Sequence, residues 1–596
     1  MNQKMICLIK PPAVECFRLA PATFKISPPL GLAYIAGALQ AAGRRVTVID
    51  SVAESPGEMT RYYKGYLIGL PLAEVAARIP ADASLVGISV IFTHEWPEIV
   101  HLIDLIKQRH PDLTVVLGGE HITAMPEFCL STSKADILVL GEGEETIIEL
   151  ADALETGRPL DEIDGLAFRD RDHNRIIVNQ RRKRMTEVDT LASPAWDLFD
   201  LKTYHEQRYV GGIFSASLSV PILATRGCPY QCTYCSAPNM WTPRWDPRDP
   251  VKVVDEIEGY IHKYGAGNFP LQDLTAIIKK DWVVTFCQEI LRRNLKITWQ
   301  LPTGTRAEAI DEEVAQLLFK SGMINMAYAP ESGSETTRKL IKKKMHTDRL
   351  FESLRAAVSA KLNVVAFLVV GFPHDTREHL MENMPFLDQL AAEGLTDVSV
   401  GFYMALPGTE LFYSLYDAGK IRINREYFSH ILHSAMLWPA QSYSENLSRF
   451  AQAAMKMRIF LRFYGARRSS TERAPLLLAL LRTLKGLFNT GARKTKLQMA
   501  FRNGTKSTYD IIKTRIKPGW ITQEEELRMF KNWETIYREI RRAKLAEGLI
   551  QQLPIDTSKL HLSNYVPTLH ADHRNARSFN LPSATAVAPS TPASVQ

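Results

Sequence analysis

Three of the seven cysteines, Cys228, Cys232 and Cys235, fall in one loop with the spacing C-x3-C-x2-C. Thiolates at these intervals curl around a single soft metal centre. A closed zinc or iron–sulfur site takes four protein ligands, and this loop offers three. The next downstream histidine and cysteine, His262 and Cys287, are too far along the chain to complete a knuckle. The alternatives are a zinc knuckle with a distant fourth ligand or three unrelated buried thiols. The spacing by itself leaves open what the fourth position is for.

The triad must be held by what precedes and follows it. VPILATRG reads as a strand running straight into Cys228. Further apolar strands follow in FPLQDLTAI, KITWQLP, INMAYAPESG, VVAFLVVGFP and VSVGFYMALPG, with helical stretches such as DEEVAQLLFKSG and DRLFESLRAAVSAK between them. Six strand–helix units in about 200 residues fit a partial or full parallel β/α barrel, whose sites lie at the carboxyl ends of the strands. Ahead of it, MICLIK, VTVID, SLVGISVIF, LTVVLGG and ADILVLGEG alternate with helices such as LGLAYIAGALQAAG, which stops at Gly43. That pattern predicts a doubly wound parallel sheet. Its binding edge would carry FTHEWP, GGEHIT and GEGEET, each directly after a strand.

The loop Cys228-x3-Cys232-x2-Cys235, with aromatic Tyr234 before the last cysteine, resembles the signature of radical S-adenosylmethionine (SAM) enzymes. The resemblance implies a [4Fe–4S] cluster on three thiolates, with the fourth iron taking the amino and carboxylate groups of SAM. It implies cleavage of the sulfonium to a 5′-deoxyadenosyl radical that abstracts hydrogen from an unactivated carbon, chemistry that belongs to the cofactor. Later motifs match in order: QDLTAI, TGTRAEAI, PESGSE, GFPHDT and LPGTEL. By resemblance, Tyr234, Asp273, Thr305, Arg306, Glu331 and Ser332 are expected around SAM. Singly these are ordinary features: Gly-Phe-Pro and Pro-Gly-Thr are turn chemistry, and Glu331 alone reads as a helix N-terminal carboxylate.

The first domain resembles the cobalamin-binding domain of cobalamin-dependent radical SAM enzymes, through SPPLGLAYIAGAL, GGEH and GEGEE. Phe92, Thr93, Glu95, Gly118, Gly119, Glu120, His121, Gly141, Glu142 and Gly143 are the residues this places at a corrin. Glycines let backbone approach a flat ring closely, although glycine turns at strand ends are common in any doubly wound domain. The Asp-x-His-x-x-Gly motif that supplies a cobalt ligand in many cobalamin proteins is absent, which implies cobalt without a histidine lower ligand. His94 and His121 sit on the expected edge, but a single loop histidine is more often a hydrogen-bonding residue. The activity implied is C-methylation of an unactivated carbon of a small, hydrophobic or lipid-like metabolite, with a tetrapyrrole-cyclase-like reaction as the alternative. An RNA-modifying methylthiotransferase would use three more cysteines, and Cys7, Cys16 and Cys129 are available by count. A protein with a purely structural cluster is the remaining class. The family also implies an electron donor such as flavodoxin or ferredoxin.

Composition sets the frame. With 596 residues, 45% hydrophobic and 23% charged, the chain reads as several globular domains. Seven irregularly spaced cysteines do not make a disulfide framework, so reduced thiols in a cytoplasm are expected. The N-terminus has no signal-peptide pattern, and no apolar run reaches the ~18 residues a spanning helix needs. The net charge of +7 is uneven: residues 456–517 carry 16 Lys or Arg against 2 Asp or Glu. Within them, residues 475–488 read either as a core helix or as an interfacial helix on anionic lipid at the inner membrane face. Nucleic acid is disfavoured, since no stacking platform accompanies the charge. The expected organisation is an α/β cobalamin-binding domain at 1–155, a linker at 156–215, the radical SAM β/α barrel at 216–435, a helical, basic region at 436–562 and a disordered Ser/Pro/Ala-rich tail at 563–596.

Overall fold

A computed structural model describes residues 4–16, 26–62, 65–170, 175–436, 438–439, 441–466, 516–517, 519, 521–550 and 577–580. The N-terminal sheet contains β1 (Met5–Lys10), β2 (Arg45–Asp50), β3 (Ala83–Ser89), β4 (Thr114–Gly118), β5 (Ile137–Val139), β6 (Leu166–Asp170) and β7 (Arg175–Val178). The parallel part has the order β2-β1-β3-β4-β5. The order reverses between β1 and β3, so the loops after those strands part and leave a crevice, the position where doubly wound sheets bind ligands. Side chains alternate across the sheet: Ile6 and Leu8 enter one core with helices Leu30–Ala41 and Glu144–Thr156, while Cys7 and Ile9 enter the other with helix Trp96–Arg109.

The expected linker is part of this sheet. β6 pairs antiparallel with β5, and β7 with β6. Leu166–Asp170 and Arg175–Val178 therefore extend this sheet as an antiparallel pair that covers the β5 edge. Within the region expected to be a disordered tail, the described residues Arg577–Asn580 form β14, antiparallel to β7, and the rest of 563–596 lies outside the described residues. The apolar helix expected at 475–488 lies outside the described residues.

The second sheet is β8 (Leu218–Ser219), β9 (Ala266–Pro270), β10 (Thr298–Thr305), β11 (Met323–Glu331), β12 (Asn363–Val370) and β13 (Asp397–Phe402). All neighbours are parallel and sequential, giving an open, partial barrel. Its helices carry ordinary local signals. In Pro250–Tyr264, Asp249 caps the first turn by accepting from Val251 N at 2.8 Å, Pro250 begins it, and Gly265 at φ +65° ends it.

Helix Gln523–Ala546 ties the two halves together. It opens with a capping box between Thr522 and Glu525. Phe530, Trp533 and Tyr537 pack with Phe128 of the first domain and with Phe412, Tyr427 and Phe428 beyond the barrel. Arg541 grips Asp417 through two bonds at 2.9 and 2.7 Å, and Lys544 reaches Glu127 at 2.6 Å. Among the described residues no helix is long and apolar enough to cross a membrane.

Candidate functional site

The cysteine loop leaves the short strand Thr225–Gly227 at the carboxyl edge of the barrel. Gly227 is at φ +84°, and a Cβ there would lie 2.1 Å from the Arg244 carbonyl oxygen, so only glycine allows the chain to turn into Cys228. Cys228, Cys232 and Cys235 are half-buried, whereas Cys7, Cys16, Cys129 and Cys287 are buried. Burial pushes the Cys228 and Cys232 thiols up, and the cations of Lys343 and Arg306 pull both back down. Cys235 is pushed up to about 12 by burial and by its neighbour Cys232. Among the described residues no three His, Cys, Asp or Glu side chains already form a closed metal site. The donor set nonetheless fits an iron–sulfur cluster: three soft thiols on one accessible loop, sensing one another's charge and faced by two cations that favour thiolate.

The loop is held from several sides. Thr233 N donates to Ile341 O, and Leu411 N donates to Thr233 O, both at 3.1 Å. Tyr234 packs edge-on to Phe372 at 5.4 Å, and its hydroxyl donates to Glu331 Oε1 at 2.7 Å. Glu331 itself sits at φ +63°, an uncommon conformation for a residue with a side chain. Lys343 Nζ donates to the same oxygen at 3.0 Å. This buried Tyr234–Glu331–Lys343 group fixes the strained end of β11 beside Cys232.

The other residues expected around SAM divide into two groups. Thr305 Oγ1 is buried without a partner in the protein, and Arg306 stacks over Tyr230 with its guanidinium carbon 4.0 Å from the ring centre. Both stand at the end of β10; Arg306 also donates to Glu308 Oε1 at 3.0 Å and to the Lys344 carbonyl, which leaves its buried Nε, with Thr305 Oγ1, for a polar ligand. Asp273 and Ser332 are instead committed to the fold. Asp273 is 1% exposed and accepts from the Ala224 and Thr225 amides, so it anchors the strand that leads into the triad. Burial raises it to about 6. Ser332 Oγ accepts from Ser334 N at 3.1 Å inside its own turn. GFPHDT and LPGTEL also act as supports. Asp375 accepts from Gly371 and Phe372 N at 3.0 Å, and Gly408, at φ +79°, leaves room for Asn239 of the cysteine loop and Ala124 of the first domain.

The expected corrin residues are similarly mixed. Ile91 and Phe92 are 43% and 44% exposed at the carboxyl end of β3, an apolar ledge beside the β1/β3 crevice. Gly119, at φ +125°, passes so close to Val90 that a Cβ would meet its carbonyl oxygen at 2.3 Å. Gly118, Gly141 and Gly143 complete the turns, and Glu120 has its carboxyl pushed up by burial and held by Ser236 of the cysteine loop. The ledge and turns fit a flat apolar ring lying against the domain. Thr93, Glu95 and His121 are buried beneath rather than exposed upon this edge. Glu95 accepts from Phe92 N at 3.3 Å, and His121 packs on Trp96 at 5.4 Å with neither ring nitrogen hydrogen-bonded. Burial lowers His121 to about 3, so the ring is neutral.

Glu142 belongs to a different device. Arg226, two residues before Cys228, is 3% exposed and extends into the first domain. Its guanidinium donates to Glu142 Oε1 at 2.9 Å and to Glu144, between the rings of Tyr34 and Trp241, each 5.5 Å away. Glu142 also accepts from Met185 N at 3.0 Å. The strand that starts the cysteine loop is thus bolted to the loop after β5. Glu142, expected at the corrin, is spent on Arg226 and Met185, and neither Arg226 nor Lys343 belongs to a motif that marks it in the sequence. The signal for Arg226 was a charge inside an apolar strand, which requires a buried acid elsewhere. Lys343 was hidden in KKK, a run that looks solvated.

Comparison with known proteins supports both halves. A B12 binding domain model matches residues 23–151, and a Radical SAM superfamily model matches residues 222–387. Cytidylyl-2-hydroxyethylphosphonate methyltransferase of Streptomyces wedmorensis is 27% identical over 461 residues, covering 71% of this chain and 85% of that protein. Anaerobic magnesium-protoporphyrin IX monomethyl ester cyclase of Synechocystis sp. is 33% identical over 353 residues, covering 58% and 65%. The solved cobalamin-dependent SAM radical enzyme OxsB, with aqua-cobalamin bound, shares the fold at TM-score 0.60 and 15% identity, over 94% of this chain and 83% of that one.

Proposed function

Because the chain belongs to the cobalamin-dependent radical SAM enzymes, we propose that it is a C-methyltransferase acting on an unactivated carbon of a small hydrophobic metabolite. The cluster with SAM supplies a carbon-centred radical generator, and cobalamin supplies a methyl carrier. Cys228, Cys232 and Cys235 would hold the cluster. Thr305 and Arg306 offer the polar contacts for SAM, and the Ile91–Phe92 ledge with the Gly118–Gly119 turn would seat the corrin. The observation that carries the reading is the Arg226 bolt, which joins the strand leading into the cysteine loop to the loop after β5 and so supports placing the two cofactors next to each other. The methyltransferase of S. wedmorensis aligns across both domains, which supports methyl transfer. The methylthiotransferase alternative is disfavoured by burial of Cys7 in β1 and Cys129 in a separate helix, where burial pushes both thiols up.

The reaction would consume a reducing equivalent from a small electron-transfer protein such as flavodoxin or ferredoxin. Product analysis tests the assignment. With substrate, the anaerobic holoenzyme should form S-adenosylhomocysteine together with 5′-deoxyadenosine. Formation of 5′-deoxyadenosine alone with a modified product would replace methyl transfer by a cyclase-like reaction.

A further inference from the structure

Helix Arg449–Ala466 (RFAQAAMKMRIFLRFYGA) contains no acidic residue. Its inner face packs on the barrel through Met455, Ile459 and Phe463. Its outer face is unusual for a solvated helix: Phe450, Met457 and Leu461 are 60%, 41% and 44% exposed, and Trp438 beside them is 61% exposed. Trp438 and Phe450 touch edge to face at 6.1 Å, and the guanidinium of Arg449 lies 5.0 Å from the Phe450 ring. Arg458 is a further exposed cation of this helix, while Arg462 is held by Asp388 of the neighbouring helix, its Nε donating at 2.7 Å. Exposed apolar side chains flanked by Arg449 and Arg458 are the pattern of an interfacial helix. The exposed indole is the side chain most at home at the boundary between water and acyl chain.

We propose that this face docks on an anionic lipid surface. The charge argues for lipid over the other occupants. A second copy would set two arginine-edged faces against each other, and residues 475–488 carry Arg482 and Lys485, the same sign again. In sequence, residues 456–517 carry 16 basic against 2 acidic residues, a charge that suits a negative leaflet. The placement is also directional. Gln452 on the first turn packs against Gly371, and Ser444 donates to the Asp375 carbonyl at 3.0 Å, so the Trp438–Phe450 end lies beside the loop at the carboxyl edge of β12. Docking would bring the barrel mouth to the lipid, where a hydrophobic substrate partitions. This surface stands independently of methyl transfer.

The test is flotation of the anaerobic full-length holoprotein with vesicles of phosphatidylglycerol and phosphatidylcholine, and with phosphatidylcholine alone. Binding is expected only to the anionic vesicles and should weaken with salt. Phe450→Ser with Leu461→Ser should lower it roughly ten-fold or more, the order expected for withdrawing two apolar side chains, without changing the melting temperature, because both are exposed. Absence of binding, undiminished binding by the double variant, or equal binding to neutral vesicles would overturn the proposal. So would a concentration-dependent dimer that the same substitutions dissociate.

Discussion

Arg226→Ala is the sharpest perturbation of the link between the two domains. The guanidinium is buried and serves two carboxylates, and the consequences for them differ. Glu142 keeps Met185 N at 3.0 Å and Arg184 at 3.6 Å. Glu144 loses the cation it pairs with, while its side chain remains 10% exposed. Removing one member of a buried pair costs about 3–5 kcal/mol, and with a single orphaned carboxylate the lower end, about 3 kcal/mol, applies. At about 1.4 kcal/mol per factor of ten, that predicts roughly a hundred-fold faster amide exchange, or more, in Thr225–Gly227 and in the loop after β5. Hydrogen exchange read by mass spectrometry reports this locally, without assuming two-state unfolding of a multidomain chain. Adding Glu144→Gln should recover much of the loss, since it removes the unpaired charge. Unchanged exchange in Arg226→Ala, or a double variant as damaged as the single one, would refute the bolt.

Asp273 is raised to about 6 by burial, so folding favours its proton, and the stabilisation present below the unfolded value near 4 is lost as pH rises through 6. Relative to Asp273→Asn, the native chain should therefore gain melting temperature on going from pH 7 to pH 5, and parallel profiles would contradict this. Lys343→Met removes the cation beside Cys232 and Glu331. The reconstituted cluster should keep its iron but titrate at a more negative midpoint by electron paramagnetic resonance, because a cation favours the reduced, more negative cluster; an unshifted midpoint would show that Lys343 acts only on Glu331. Gly227→Ala forces a Cβ to 2.1 Å from the Arg244 oxygen at positive φ, so the variant should fold its first domain yet retain little iron, and normal iron content would contradict the turn geometry.

Much of this architecture is visible in the chain before folding. Runs such as VVL within Thr114–Gly118 and VVAFLVV within Asn363–Val370 are continuously apolar because parallel strands are covered on both faces, and the cysteine loop resembles a known family signature. What spacing cannot show is where a polar side chain is spent. Asp273 lies in the expected motif, but its carboxylate holds two backbone amides of a segment nearly fifty residues away. His121 follows a binding-edge strand, yet the first turn of helix Glu120–Ala124 rotates it into the core against Trp96. The pairing of Leu166–Asp170 with Arg175–Val178 leaves little trace in the sequence, because both strands are short and the basic stretch that follows, QRRKR, looks like part of a connector. That basic stretch is partly buried: Arg184 meets Asp246 at 3.0 Å, and Arg182 meets Glu149 at 2.8 Å. The pairing partners lie across the fold, so local pattern carries no trace of them.

The proposal at the centre of this account is that the three-cysteine loop holds a SAM-cleaving cluster while the first domain binds a corrin. Anaerobic reconstitution with iron, sulfide and cobalamin, followed by spectroscopy and assay for 5′-deoxyadenosine, tests it most directly. The account predicts one [4Fe–4S] cluster and one cobalamin per chain, a cluster spectrum altered by SAM, and reductant-dependent 5′-deoxyadenosine. Cys232→Ala should abolish the cluster and the nucleoside while cobalamin stays bound. A cluster that survives loss of Cys232, or a wild-type cluster that neither responds to SAM nor cleaves it, would contradict the account.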